Sequence, residues 1–186
     1  MDTQELDFTN HFSPGYTEPD PYHSVEDLRK IDELGVIGES ALKASGFYAR
    51  ILSSAPPGRA RAPSDTHVLV VEDDNGTAAV IVKVLDKMGY PTRRARDLRE
   101  VVSALMANPK PNLILLDVVL HDADGFDLLK RIRSHSKLKH IPVLMLTSLS
   151  DRKDIARGLG LGADGYVTKP ALPSTLIDAV QAISCG

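Results

Sequence analysis

Asp73, Asp117, Thr147 and Lys169 each close a short apolar run, so that two carboxylates, a hydroxyl and an ammonium recur at the same kind of place along the chain. A strand of Val and Leu needs no charge at its end for stability, and the set calls for a chemical explanation. A carboxylate accepts a phosphoryl group only if its own charge and that of the incoming phosphate are neutralised, which a divalent cation and a fixed ammonium do together. In that chemistry Asp117 is the nucleophile. Glu72 and Asp73, brought beside it, make a cluster of like charges that is costly unless a hard cation such as Mg²⁺ lies between them. Lys169 then offers a point charge, and the Thr147 hydroxyl a short donor, to phosphoryl oxygens. Such transfer asks little covalent chemistry of a protein, because positioning and charge neutralisation supply most of the acceleration.

The elements that must position these residues are legible. The runs are Val68–Val71 before Glu72-Asp73-Asp74, Leu113–Leu116 before Asp117, Ile141–Leu146 before Thr147, and Gly165–Thr168 before Lys169-Pro170. Continuous rather than alternating apolar stretches fit strands buried on both faces of a parallel sheet. Between them, apolar residues at i, i+3 and i+4 predict helices over 76–88, 98–107 and 125–134, with further helices over 151–160 and 173–183. Pro173 and Ser174 suit the start of the last. Asp74 reads best as a helix cap. The predicted fold is α/β, a (βα)5 doubly wound parallel five-stranded sheet, in which a ligand site lies beyond the carboxyl ends of the strands. All four polar residues fall there.

The formal net charge of −3 provides no field of the kind that draws a protein to nucleic acid or anionic lipid. Neither partner is expected. The single cysteine, Cys185, has no partner within the chain, which predicts a reducing interior. Met1-Asp2-Thr3-Gln4-Glu5 lacks the charge and apolar core of a signal peptide, and no apolar run reaches membrane-spanning length. A cytoplasmic protein is expected. His11, His23, His67, His135 and His140 show no metal-ligand spacing with the one cysteine, so no zinc site is expected.

About sixty residues precede the α/β unit. Residues 1–23, with Pro14, Gly15, Pro19 and Pro21, predict a flexible segment. Residues 24–54 predict a helical extension: a capping box at Ser24–Asp27 opens one amphipathic helix ending near Gly35, and a second helical stretch covers 37–53. Neither helix can bury its apolar stripe alone, so the extension must dock on its own chain, form a homodimer through 24–54, or meet a partner. Residues 55–65 read as a Pro-rich linker, and 66–186 as the α/β domain.

The conjunction of residues resembles the receiver domains of two-component response regulators, from Val68 to about Ser184. The spacings of 44 (73 to 117), 30 (117 to 147) and 22 (147 to 169) match that family's usual pattern. Asp124-Gly125-Phe126 resembles the Asp-Gly that opens its third helix, and Gly162-Ala163-Asp164-Gly165-Tyr166 resembles the stretch leading to its Lys-Pro pair. The resemblance implies a flavodoxin-like, CheY-like fold with Asp117 as phosphoacceptor. It implies Mg²⁺ held by Glu72, Asp73, Asp117 and the backbone carbonyl of Val119, and Lys169 as sensor of the phosphoryl group. Thr147 and Tyr166 would be switch residues, and Lys169-Pro170 a cis peptide. The implied partners are a histidine kinase or histidine phosphotransfer protein and a downstream protein target.

Two positions depart from the pattern. His121 stands where proline is common, and Val119 where fast-hydrolysing relatives carry a polar side chain, which implies slow autodephosphorylation. The expected function is a phosphorylation-dependent switch, not an enzyme beyond its own phosphoryl transfer. Since Gly186 follows directly on the fifth helix, a stand-alone receiver is expected. Two other classes bear comparison. A Mg²⁺-dependent phosphoaspartyl phosphatase of the haloacid-dehalogenase type expects a second aspartate at position 119. A DNA-binding regulator reading through its N-terminal helices expects a basic patch there, whereas that region is acidic.

Overall fold

The computed structural model describes residues 47–49, 61–148, 152–171 and 173–184. In order these form β1 (Phe47–Ala49), β2 (Val68–Val71), α1 (Asn75–Lys87), β3 (Thr92–Ala95), α2 (Leu98–Met106) and β4 (Leu113–Asp117). There follow α3 (Gly125–Ser134), β5 (Val143–Thr147), α4 (Arg152–Gly160), β6 (Gly165–Thr168) and α5 (Pro173–Ser184). The sheet order is β1-β6-β5-β4-β2-β3. Strands β2 to β6 are parallel, as the uninterrupted apolar runs require.

Successive side chains of a strand point to opposite faces, so each run feeds two cores. Leu69, Val71, Ile114, Leu116, Val143 and Met145 pack beneath α2, α3 and α4 with Val101, Leu105, Phe126, Leu129, Ile132, Ile155 and Leu159. On the other face Val68, Val70, Leu113, Leu115, Leu144 and Leu146 meet Ile81 and Leu85 of α1 and Leu176 and Val180 of α5. Val80, Met88 and Met106, apolar residues within the predicted helical spans 76–88 and 98–107, face solvent.

Both sheet edges depart from the sequence pattern. Strand β3, Thr-Arg-Arg-Ala, carries no apolar run because it pairs on one side only, and Ala95 alone is fully buried. The expected helix over 37–53 is corrected at Phe47–Ala49, which form β1 antiparallel to β6, with Tyr48 opposite Tyr166. An uncovered β6 would present a row of unpaired peptide groups, and Phe and Tyr suit a strand. The remaining expectations for 1–46 and 50–60 lie outside the described residues. The expected linker is shorter at its end: Pro63–Asp65 form a 3-10 turn, and the Asn112 amide donates to the Asp65 carbonyl at 2.8 Å.

Helix starts follow their caps. Asp74 accepts from the Thr77 amide at 2.7 Å, Asp97 from Glu100 at 2.8 Å and Asp124 from Phe126 at 2.7 Å, each satisfying an amide that the first helical turn leaves free. Lys169-Pro170 is cis, as is Asn108-Pro109.

One packing contact reaches from α4 into the sheet. The buried Tyr166 hydroxyl donates to the Asp154 carbonyl at 3.0 Å, and burial pushes its pKa well above the usual tyrosine value. Gly158 makes room for it, since a Cβ there would stand 1.7 Å from the hydroxyl oxygen. Gly158→Ala is expected to displace the tyrosine and cost about 1–3 kcal/mol by overpacking. A lowered urea midpoint with altered near-ultraviolet tyrosine dichroism is the expected reading, and an unchanged midpoint would mean that α4 shifts freely.

Candidate functional site

Register brings the strand-end residues into one row. Val71 pairs with Leu116, Asp117 with Leu146, and Thr147 with Thr168, so Glu72, Asp117, Thr147 and Lys169 emerge at the same end of the sheet. A slip of one residue would turn each of these side chains to the opposite face.

The Lys169 ammonium lies 2.6 Å from Asp117 Oδ2 and 2.5 Å from Glu72 Oε2. Burial works against its charge, but hydrogen bonds to the two carboxylates outweigh that and hold it above the usual lysine value. Glu72 is fully buried. That burial, reinforced by the negative charge of Asp117, raises its pKa against the pull of Lys169. Carboxylate oxygens of Glu72, Asp73 and Asp117 all lie within 4.8 Å of one another. One ammonium thus faces three carboxylates, and a hard divalent cation with oxygen ligands fits both the charge and the donor set. Asp73 is the most open of the three and lines a cleft of about 580 Å³ with Asp74, Asn75, Arg96, Asp97 and His121.

The loop after β4 returns sharply. Val119 and Asp124 form an isolated antiparallel bridge, and the Gly125 amide donates to the Val118 carbonyl at 2.9 Å. A Cβ on Gly125 would stand 2.1 Å from the Asp117 carbonyl oxygen, so glycine is required where α3 approaches the site. The Val119 amide donates to Asp117 Oδ1 at 3.2 Å, while its side chain is 58 % exposed. Thr147 is fully buried, and its carbonyl accepts from the Lys169 amide at 2.7 Å. Tyr166 lies away from the carboxylates, against α4.

The structure therefore brings Glu72, Asp73, Asp117 and Lys169 together, with Thr147 on the neighbouring strand end. Sequence reasoning missed two neighbours. The His121 amide donates to Asp73 Oδ2 at 3.0 Å, and its ring Nδ1 lies 3.4 Å from the same oxygen. Arg94 bonds to the loop carrying Glu72 and Asp73. Its signal was an arginine in an otherwise unremarkable edge strand, which by itself reads as a solvated side chain.

Comparison with known proteins places this geometry. The response regulator receiver domain family matches residues 68–181. Over 116 residues the chain is 37% identical to the phosphate regulon transcriptional regulatory protein PhoB of Escherichia coli K12, covering 62% of this chain and 50% of PhoB. The chain thus spans about half the length of the curated relatives it matches. The chemotaxis response regulator CheY4 of Vibrio cholerae superposes with a TM-score of 0.58 at 30% identity, over 63% of this chain and 98% of CheY4. The Mn²⁺-bound form of response regulator Rcp1 superposes with a TM-score of 0.55 at 30% identity, over 63% of this chain and 91% of Rcp1. With the match running from the first residue of β2 into α5, this chain belongs to the response regulator receiver domain family.

Proposed function

We propose that the chain is a phosphorylation-dependent switch of a two-component phosphorelay, with Asp117 as the residue that takes the phosphoryl group. The observation that carries this reading is the Lys169 ammonium bridging Asp117 and the buried Glu72, with Asp73 in reach of both. Glu72, Asp73 and Asp117, with the Val119 carbonyl, would hold Mg²⁺, which when bound supplies charge neutralisation to the entering phosphoryl oxygens. An Asp117 carboxylate oxygen attacks phosphorus and forms the new O–P bond. The P–N bond of a phosphohistidine donor breaks, and its electron pair stays on the imidazole nitrogen, which takes up a proton. Lys169 and the Thr147 hydroxyl follow the charge onto the phosphoryl oxygens.

The donor is a histidine kinase or histidine phosphotransfer protein, and the signal leaves through protein contacts, with Thr147 and Tyr166 as the switching pair. The chain's net charge of −3 favours a protein target over nucleic acid. A lone cysteine suits the cytoplasm. The phosphatase reading lacks its second carboxylate, because position 119 is valine. Within the extension 24–54, the pairing of β1 with β6 favours docking on the receiver itself over a free helical pair.

Asp117→Asn is expected to abolish labelling by acetyl phosphate with Mg²⁺ while the protein stays folded, and undiminished phosphorylation by intact mass would refute the assignment. Val119, exposed and apolar beside Asp117, offers no group to orient a hydrolytic water. Val119→Asn is expected to speed loss of the phosphoryl group severalfold; an unchanged decay rate would remove this explanation. In a strand, consecutive amides point to opposite sides, so Phe47→Pro with Tyr48→Pro removes whichever amide faces β6. Hydrogen exchange in β6 should then accelerate in the full chain, and unchanged protection would mean that β1 contributes nothing to the edge.

A further inference from the structure

We propose that Arg94 is a positioning residue for the acidic loop, holding Glu72 and Asp73 in the arrangement that binds a divalent cation. This rests on the reading of the site above and adds a residue to it. Arg94 lies on β3, opposite Val70 of β2, two residues before Glu72. All three guanidinium nitrogens are engaged on that loop. Nε donates to the Glu72 carbonyl at 3.0 Å, Nη2 to the Asp73 carbonyl at 2.8 Å and Nη1 to Asn75 Oδ1 at 2.7 Å.

The loop has a demanding task. Glu72 must turn inward to Lys169, while Asp73, the next residue, must turn outward, where its Oδ2 accepts from the His121 amide. Which way each carboxylate points is set by the backbone around Asp73, and Arg94 holds the Glu72 and Asp73 carbonyls, which lie on either side of the Asp73 Cα. It does so without occupying a carboxylate oxygen, so the ligand atoms stay available to a cation. Only a planar fork with three donors reaches two carbonyls and an amide oxygen at once, and lysine, a point charge on a flexible stem, reaches one. Groups that orient metal ligands in this way matter almost as much as the ligands, and their loss typically costs about 10–100-fold in metal affinity.

The test is calorimetric titration of Mg²⁺ alone into the full chain, for the natural protein, Arg94→Ala, Arg94→Gln, Arg94→Lys, Asn75→Ala and the Arg94→Ala/Asn75→Ala pair. Thermal melts establish that each variant is folded, and Arg94→Gln keeps the test open should the alanine variant not fold. Arg94→Ala is expected to weaken Mg²⁺ at least about tenfold, Arg94→Lys to restore only part of the loss, and Asn75→Ala to lose less. The double variant should be no worse than Arg94→Ala, since Asn75 acts through Arg94. Labelling of Asp117 by acetyl phosphate should slow at limiting Mg²⁺ and recover as Mg²⁺ is raised. Affinity within twofold of the natural protein in Arg94→Ala, or full restoration by lysine, would overturn the role given to Arg94. Absence of Mg²⁺ binding by the natural protein would overturn the reading of the site, and this inference with it.

Discussion

Lys169 follows β6, Glu72 follows β2 and Asp117 ends β4, yet one ammonium touches both carboxylates, and three strands must therefore end at the same edge of the sheet. That contact constrains much else. Removing one partner from a buried ion pair typically costs about 3–5 kcal/mol, because the other is left charged and desolvated. A slip in register would break the contact and reverse the faces of the sheet together, so the apolar pattern and the charge pattern enforce the same alignment. Burial raises the pKa of Glu72 even with Lys169 beside it.

Two arginine forks hold the two ends of the sheet. At the end away from the site, Arg133 donates to the carbonyls of Gly162 and Ile141 and to Asp164 Oδ2, whose oxygen also accepts the Val143 amide. This ties together the entries of β5 and β6. At the site, Arg94 does the same for the exit of β2. Strand ends are where a parallel sheet has no ladder left to fix the chain, and a planar donor with several nitrogens replaces that ladder. The sheet is thereby braced at both ends, at the exit of β2 and at the entries of β5 and β6.

What was legible in the sequence is what side-chain pattern alone decides. Val68–Val71, Leu113–Leu116 and Val143–Leu146 are buried on both faces and so appear as uninterrupted runs; Asp74 and Asp124 cap helices through bonds to amides two or three residues on. The set Asp73, Asp117, Thr147 and Lys169 was legible because polar side chains that close buried apolar runs stand out against them. The rest depends on who the neighbour is. Strand β3 and strand β1 pair through backbone groups at edges, where side chains need no apolar pattern, and Thr92–Ala95 shows none. Arg94 acquires its role only once β3 is set beside β2, and Gly158 only once Tyr166 lies beneath α4. His121 touches Asp73 across 48 residues of chain, and local sequence carries no trace of that.

Strand β6 is joined both to Asp117, through Lys169 at its end, and to the described part of the extension, through β1. Lys169, at its end, bonds to the Asp117 carboxylate through its ammonium and to the Thr147 carbonyl through its amide. One residue of the same strand, Tyr166, is fastened to α4 through Asp154, and the strand's free edge is taken by Phe47–Ala49. Placing a phosphoryl group on Asp117 would convert a carboxylate that accepts from Lys169 into an acyl phosphate with three new acceptor oxygens, so the ammonium would have to follow them. The Lys169 amide, bonded to the Thr147 carbonyl, anchors the backbone that carries this ammonium on the end of β5. On its other edge β6 pairs with the three residues Phe47–Ala49. Strand β6 thus leads into the ammonium that meets Asp117 and carries the extension's strand along its edge, so the carboxylate site and the extension share one element.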